Sequence, residues 1–399
     1  MSATDELMAQ AARYLANTYA RFPIALVKGS GVRVWDAEGK TYLDFAAGIA
    51  VDVLGHCHPK VVEAIRAQAE TLLHVSNLYH IEPQIRLART LCEHSFGGKV
   101  FFCNSGAEAN EAAIKLARRY AKERWSSDRY EIVCMQDSFH GRTMATVTAT
   151  GQPKYSQGFE PLLPGFKHIP FNDLPAAERA IDSRTCAVLV EPIQGEGGVR
   201  IPDDDYLPGL RQLCSEREVL LMMDEVQTGM GRTGRLFAYE HWGIQPDIVT
   251  LAKGLGGGLP IGAMLAKETV AAAFVPGSHA STFGGNPFVT TVALTVLTEI
   301  LDARLPEHAA KIGAYFLERL QQLAARYPFV KEARGKGLML ALELTKPARP
   351  IVERCLERGL LILVAGDQVL RFVPPLIIDE PEVDEAIRIL DLVLAEETR

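Results

Sequence analysis

The pattern that most constrains this chain is a series of short apolar runs at 100–103, 131–135, 186–190, 219–223, 248–252 and 263–266, each ended by polar residues or glycine. Most are apolar at both alternating positions. A strand of that kind has no face to offer water, so it belongs in a parallel sheet covered by helices on both sides. Helical spacing of small and apolar residues at 108–124, and again at 206–217, supplies candidate covers. Strands alternating with helices predict an α/β domain.

The character changes after about Asn286. Helices are expected at 289–301 and 308–327 with Pro306 between them, then strands at 338–344 and 370–373 and helices at 351–358 and 382–396. That mixture predicts a smaller α+β domain. Residues before about Asp44, with a hairpin-like pattern at 31–43, are expected to pack with it. The expected division is 1–45 with the small domain, 46–295 as the large domain and 296–399 as the small domain. A chain of 399 residues, 48% hydrophobic and 23% charged, can bury a large core.

Net charge is −7, which argues against a nucleic-acid partner. No apolar run reaches the roughly 20 residues a bilayer requires, so no membrane partner is expected. The opening MSATDELMAQ lacks the basic and apolar regions of a secretory signal. Seven cysteines are scattered without a C-x-x-C, and Cys103, Cys134 and Cys186 lie in or beside apolar runs. They read as core residues in a reducing, cytoplasmic compartment.

Chemistry enters with Lys253, which follows Ile248-Val-Thr-Leu-Ala and precedes Gly254-Leu-Gly-Gly-Gly. Alone it has a plain reading, because most lysines end in water. Asp224 follows another apolar run, Val219-Leu-Leu-Met-Met. In a parallel sheet both residues fall at carboxyl ends of strands, where ligands bind. An amine that can be desolvated and a carboxylate beside it are what pyridoxal 5'-phosphate (PLP) requires: the lysine holds the aldehyde, and the carboxylate keeps the pyridine nitrogen protonated. A third element, Asn104-Ser-Gly-Ala-Glu-Ala-Asn, runs from a strand end into a helix, where the amides of Gly106 and Ala107 can meet a phosphate. Ser105 and Glu108 have capping-box spacing and could close the same helix end without a ligand.

Together with Gly55-His-Cys-His-Pro, Ser138-Phe-His-Gly-Arg-Thr, Glu191-Pro-Ile-Gln-Gly-Glu-Gly-Gly, Asp224-Glu-Val-Gln-Thr-Gly and Ser281-Thr-Phe-Gly-Gly-Asn-Pro, these residues make the chain resemble the class III (ω) PLP-dependent aminotransferases of fold type I. The resemblance spans nearly the whole length and is greatest to the acetylornithine aminotransferase family. It implies Lys253 as Schiff-base lysine and proton shuttle, Asp224 at the pyridine nitrogen, Gln227 at the ring hydroxyl and Phe139 stacked on the ring. Glu225 and Val226, between Asp224 and Gln227, join the implied cofactor set. Gly106 and Ala107 would bind phosphate, joined by Thr282 from a partner subunit in a homodimer. Arg142 and Ser281 would meet the distal end of the substrate, and Glu196 would mask Arg371 for one substrate and release it for the other. Ornithine aminotransferases resemble the chain but carry tyrosine where Ile49 stands; an apolar residue disfavours a free amine and tolerates an acylated one. The implied reaction passes the δ-amino group of N2-acetylornithine to 2-oxoglutarate by ping-pong kinetics. Ornithine, succinylornithine and 4-aminobutyrate are the alternative donors, and a nicotinamide oxidoreductase or a non-catalytic PLP-fold protein are the alternatives of other classes.

Two motifs point elsewhere. Gly229-Met-Gly-Arg-Thr-Gly matches a dinucleotide fingerprint, but Asp224 and Glu225 separate it from the strand, and it reads as a turn. His56-Cys-His58 has the residue types of metal ligands but no second cluster, so no metal is expected and backbone shaping before Pro59 is the expected role.

Overall fold

The computed structural model describes residues 2–125 and 128–397. Alternate side chains of the apolar runs enter opposite cores. In Glu131–Met135, Ile132 and Cys134 pack with the helix Gly106–Arg124, whereas Val133 and Met135 face the other side. Leu220–Asp224 divides in the same way, with Leu220 and Met222 on one face and Leu221 and Met223 on the other. Both faces of the sheet are therefore dry, as the sequence pattern requires.

The sheet has seven strands in the order Lys99–Cys103, Gly262–Ala266, Ile248–Leu251, Leu220–Asp224, Thr185–Val190, Glu131–Met135 and Phe166–Ile169. All pairs are parallel except those of Gly262–Ala266, which is antiparallel to both neighbours. The connection from Leu251 to Gly262 contains only a single short 3-10 turn, too little for the crossover a parallel return needs. The edge strand Phe166–Ile169 has no counterpart in the sequence reading, because only Ile169 of its four residues is buried. All seven cysteines are unpaired, and Cys103, Cys134 and Cys186 are buried.

The chain ends meet in one place. Thr41–Asp44 pairs with Arg33–Asp36 as the expected hairpin and with Leu360–Leu361 in parallel. A second, antiparallel sheet joins Val330–Lys336, Met339–Leu344, Val369–Phe372 and Leu363–Ala365. One expectation shifts. The helix Leu305–Arg326 carries Pro306 in its first turn rather than after a break, a position where the missing N–H has no intrahelical partner to lose. The expected division at 295/296 falls inside the continuous helix Pro287–Asp302.

The glycine-rich stretch after Asp224 is a turn that receives the C-terminal sheet. Within it the fully buried Arg232 donates to the carbonyls of Leu338 and Pro374. Gly337, at φ 56°, packs against Thr233 and against Gly313 of the helix Leu305–Arg326, where an added Cβ would lie 2.1 Å from the Gly337 carbonyl oxygen. Alanine in place of a helical glycine ordinarily stabilises by about 1 kcal/mol. Here Gly313→Ala is expected to destabilise by about 2 kcal/mol through overpacking, read as a lower urea midpoint at unchanged slope.

Candidate active site

Asp224 ends one strand and Lys253 follows the next, and those two strands pair in parallel with Asp224 opposite Thr250. Both side chains reach a cavity of about 490 Å³ at the carboxyl edge of the sheet, which Gly106, Ala107, Phe139, Val226 and Gln227 also line. Lys253 has φ 43°, a left-handed backbone that non-glycine residues seldom adopt and that clusters at functional sites. Among the described residues its amine has no hydrogen-bond or ion-pair partner. Burial, helped by the Arg371 charge, holds its pKa below the usual lysine value against the pull of Glu196, Asp224 and Glu191. The neutral, nucleophilic amine is thereby favoured.

Asp224 is 4% exposed and is oriented from three directions. Its Oδ2 faces His140 Nδ1 at 2.8 Å and accepts from Asn110 Nδ2 at 2.7 Å, and its Oδ1 accepts the Val226 amide at 3.0 Å. Asn110 is fixed in turn by Thr250, whose hydroxyl donates to Asn110 Oδ1 at 2.7 Å, and by the His140 carbonyl, which accepts from Asn110 Nδ2 at 2.8 Å.

The helix start fits a phosphate. Ser105 Oγ accepts from the Glu108 amide at 3.2 Å, and Glu108 bonds back to the Asn104 amide at 2.8 Å, one residue before the cap. This cap leaves the Gly106 and Ala107 amides without a protein acceptor among the described residues. A Cβ on Gly106 would lie 2.8 Å from Val226 Cγ1, so only glycine leaves the cradle open. Free amides at one end, a buried and oriented carboxylate at the other and an unpaired amine between them match the three polar groups of PLP.

Beyond Lys253 the space continues into a cleft of about 670 Å³ shared by Phe139, Arg142, Ile49, Tyr155, Glu196 and Lys253. The Arg142 guanidinium stacks 4.0 Å from the Tyr155 ring centre and has no ion pair among the described residues. Arg371, 2% exposed, donates from Nη1 to Glu196 Oε1 at 2.6 Å and to Gln227 Oε1 at 3.0 Å. Burial alone would raise the Glu196 pKa, but Arg371 and Lys253 outweigh it and hold the carboxylate ionised.

Not every expected residue comes to this cavity. Glu225 turns away: its carboxyl accepts from Thr228 Oγ1 at 2.6 Å and the Tyr239 amide at 2.9 Å, and burial pushes it up to about 7. It builds the turn that follows the strand. Ser281 and Thr282 line a different cleft of about 780 Å³, with Ser281 Oγ tied to Asn104 Nδ2 at 3.2 Å and to the Gly284 amide at 3.1 Å. His56 and His58 join no metal-like group, and among the described residues there is none.

The sequence reading assigned no role to Asn110, His140 or Glu191. Asn110 lies one helical turn after Gly106, so both face the cavity; that spacing was legible. His140 adjoins Phe139 on a non-helical segment, and both residues line the cavity. Glu191 is buried, accepts the amides of Phe139 at 2.9 Å and Gly195 at 3.0 Å, and is pushed up to about 7 by burial.

The family described as aminotransferase class-III matches residues 14–394, and the chain belongs to it. Its members are PLP-dependent, in agreement with the cradle above. The acetylornithine aminotransferase of Caldanaerobacter subterraneus subsp. tengcongensis is 57% identical over 96% of this chain and 98% of its own length. That of Methanocaldococcus jannaschii is 51% identical over 96% of each. The crystal structure of ornithine aminotransferase from Toxoplasma gondii ME49 superposes with a TM-score of 0.97 at 36% identity, covering 100% of this chain and 97% of that one.

In cofactor-free protein the rate of PLP uptake is expected to rise with pH and level off at the Lys253 pKa, below the ordinary lysine value of 10.5. Glu196→Gln removes a charge that raises this pKa. The levelling-off should therefore move to lower pH, and stopped-flow uptake across a pH series checks the sign.

Proposed function

We propose that this chain transfers the δ-amino group of N2-acetylornithine to 2-oxoglutarate, giving N-acetylglutamate 5-semialdehyde and glutamate, a step of arginine biosynthesis. The observation that carries the reading is the Glu196–Arg371 pair, 2.6 Å apart, whose Glu196 lines with Lys253 a cleft walled largely by apolar and aromatic residues. Two substrates with different charge must use one site. With the pair closed, its two charges cancel, which suits the neutral methylene chain of an ω-amine. When Glu196 swings away, Arg371 offers a planar fork to the α-carboxylate of glutamate or 2-oxoglutarate. Arg142, unpaired and stacked on Tyr155, supplies the second cation for the far carboxylate of either substrate. Ile49 lies in the same cleft, and an apolar residue there disfavours a free ammonium and tolerates an acetamide.

When bound, PLP supplies the carbonyl that condenses with amines and the electron sink that stabilises the carbanion left by loss of an adjacent proton. The protein's own groups do the rest. Lys253 would hold the cofactor through its amine and, with that amine free, would act as the base that moves a proton at the substrate carbon. Asp224, steadied by Asn110 and His140, would keep a proton on the ring nitrogen. Gly106 and Ala107 would hold the phosphate through their amides, and Gln227, Val226 and Phe139 would complete the set that holds the ring.

Thr282 and Ser281 serve the neighbouring protomer of a homodimer in this reading. Supporting it, Leu78 and Phe283 are 82% and 60% exposed around the cleft these residues line, with Leu72, Leu73 and Tyr79 also exposed. Apolar surface of that kind is ordinarily covered by a partner. In the same reading the chain divides into 1–45 with 296–399 against 46–295, a boundary that falls within the helix Pro287–Asp302. Among the described residues no helix is long and apolar enough to cross a membrane, and the proposed setting is the cytoplasm.

The test is a donor panel with 2-oxoglutarate as acceptor: acetylornithine should give the highest kcat/KM, above succinylornithine, ornithine and 4-aminobutyrate. Arg142→Ala should raise KM for both substrates by about 10- to 100-fold, as expected for loss of a charge-assisted contact of 1.5–3 kcal/mol. Glu196→Gln should slow the acetylornithine half-reaction relative to the glutamate half-reaction by about tenfold, or 1.4 kcal/mol. An unchanged ratio in single-turnover measurements would remove the switch.

A further inference from the structure

Four consecutive residues, Ala47, Gly48, Ile49 and Ala50, have positive φ, at 47°, 62°, 68° and 62°. A left-handed turn presses Cβ against the following carbonyl, and for a β-branched residue such as Ile49 it is an outlier. Such a turn persists only where its surroundings over-determine it. Some of the restraint is internal: the Ile49 amide donates to the Ala46 carbonyl at 2.8 Å and the Val51 amide to the Ala47 carbonyl at 2.7 Å.

Further restraint comes from Asp44 and His56. Asp44, at the end of the strand Thr41–Asp44, accepts the amides of Ala46 and Ala47 on Oδ1 at 2.9 and 2.8 Å. Its Oδ2 faces His56 Nε2 at 2.7 Å. His56 is itself held by backbone bonds in both directions with Gly31, at 2.7 and 2.9 Å. Gly29 lies against the ring so closely that an added Cβ would come within 2.7 Å of His56 Cβ and Cγ. The Asp44 bond favours the imidazolium against the cost of burial, and Asp52 adds a second favourable charge. This accounts for the His56 of the Gly55-His-Cys-His-Pro motif, which neither the cofactor cradle nor a metal site uses. What the turn presents is Ile49, 44% exposed, in the cleft that also holds Arg142, Glu196 and Lys253.

We propose that the Asp44–His56 pair is a positioning device for donor selection, holding residues 47–50 in a left-handed turn so that Ile49 forms the apolar wall met by the substituted α-nitrogen of the donor. The inference rests on the acetylornithine reading above. With the pair broken, the turn can relax toward ordinary backbone, Ile49 leaves the wall, and water or an ammonium can enter in its place.

Holoenzyme is assayed with acetylornithine and with ornithine, for the unmodified chain, His56→Ala and His56→Gln. The unmodified chain should prefer the acetylated donor; absence of that preference overturns the donor reading itself, and this inference with it. Given the preference, His56→Ala should lower the acetylated-to-free ratio of kcat/KM at least fivefold, mainly through KM for the acetylated donor, with the glutamate half-reaction keeping its rate. His56→Gln, whose amide nitrogen can replace Nε2, should restore most of the ratio. A folded His56→Ala protein with an unchanged ratio overturns the inference, and so does an equal loss on both donors and glutamate, which marks His56 as structural. If His56→Ala does not fold, Ile49→Gly tests the same turn. Glycine accepts a φ of 68°, so Tm should fall by less than about 3 °C while the ratio falls at least fivefold. A retained ratio, or a larger fall in Tm, counts against the strained wall.

Discussion

Met222, Met223 and Asp224 pair in parallel with Ile248, Val249 and Thr250, and this register is the constraint on which the cavity depends. It delivers a carboxylate and an amine to the same edge of the sheet, both removed from water. The cost of burying them is met locally. Asn110, His140 and the Val226 amide satisfy the Asp224 carboxylate, and Lys253 can lose its proton instead of needing a counter-ion. A slip of one residue between these strands would turn one of the two groups into the apolar layer.

Charge in the adjoining cleft follows the same economy. Glu196 and Arg371 neutralise each other within reach of Lys253, so the pair carries no net charge yet keeps a latent cation. Arg142 stacks on Tyr155 and, among the described residues, has no ion pair. The C-terminal sheet brings in Arg371, and that sheet is seated by Arg232 reaching the carbonyls of Leu338 and Pro374. The glycine-rich stretch that imitates a dinucleotide fingerprint thus acts at a distance, by fixing where Arg371 stands.

Much of this was legible in the residues. Two-faced apolar runs identified six of the seven central strands, and the seventh escaped because an edge strand with one buried residue leaves no such run. Lys253, Asp224, Gly106, Ala107, Phe139, Val226 and Gln227 converge on one cavity as the motifs led one to expect. Glu225 did not, since its neighbours in the chain are at the site while its own side chain serves the next turn. Adjacency in sequence says nothing about which way a side chain leaves the backbone.

By itself the sequence determined the layered α/β core, the family and most of the residues that line the cavity, because periodicity, motifs and strand-end chemistry are local properties. Tertiary structure alone decided the antiparallel return of Gly262–Ala266, the orientation of Asp224 by Asn110 and His140, and the left-handed turn that presents Ile49. The orientation of Asp224 and the Glu196–Arg371 pair depend on groups far apart in the chain: Asn110 meets Asp224 across 114 positions, and Arg371 meets Glu196 across 175. Such contacts leave no period in the sequence, and they exist only once the sheets have packed.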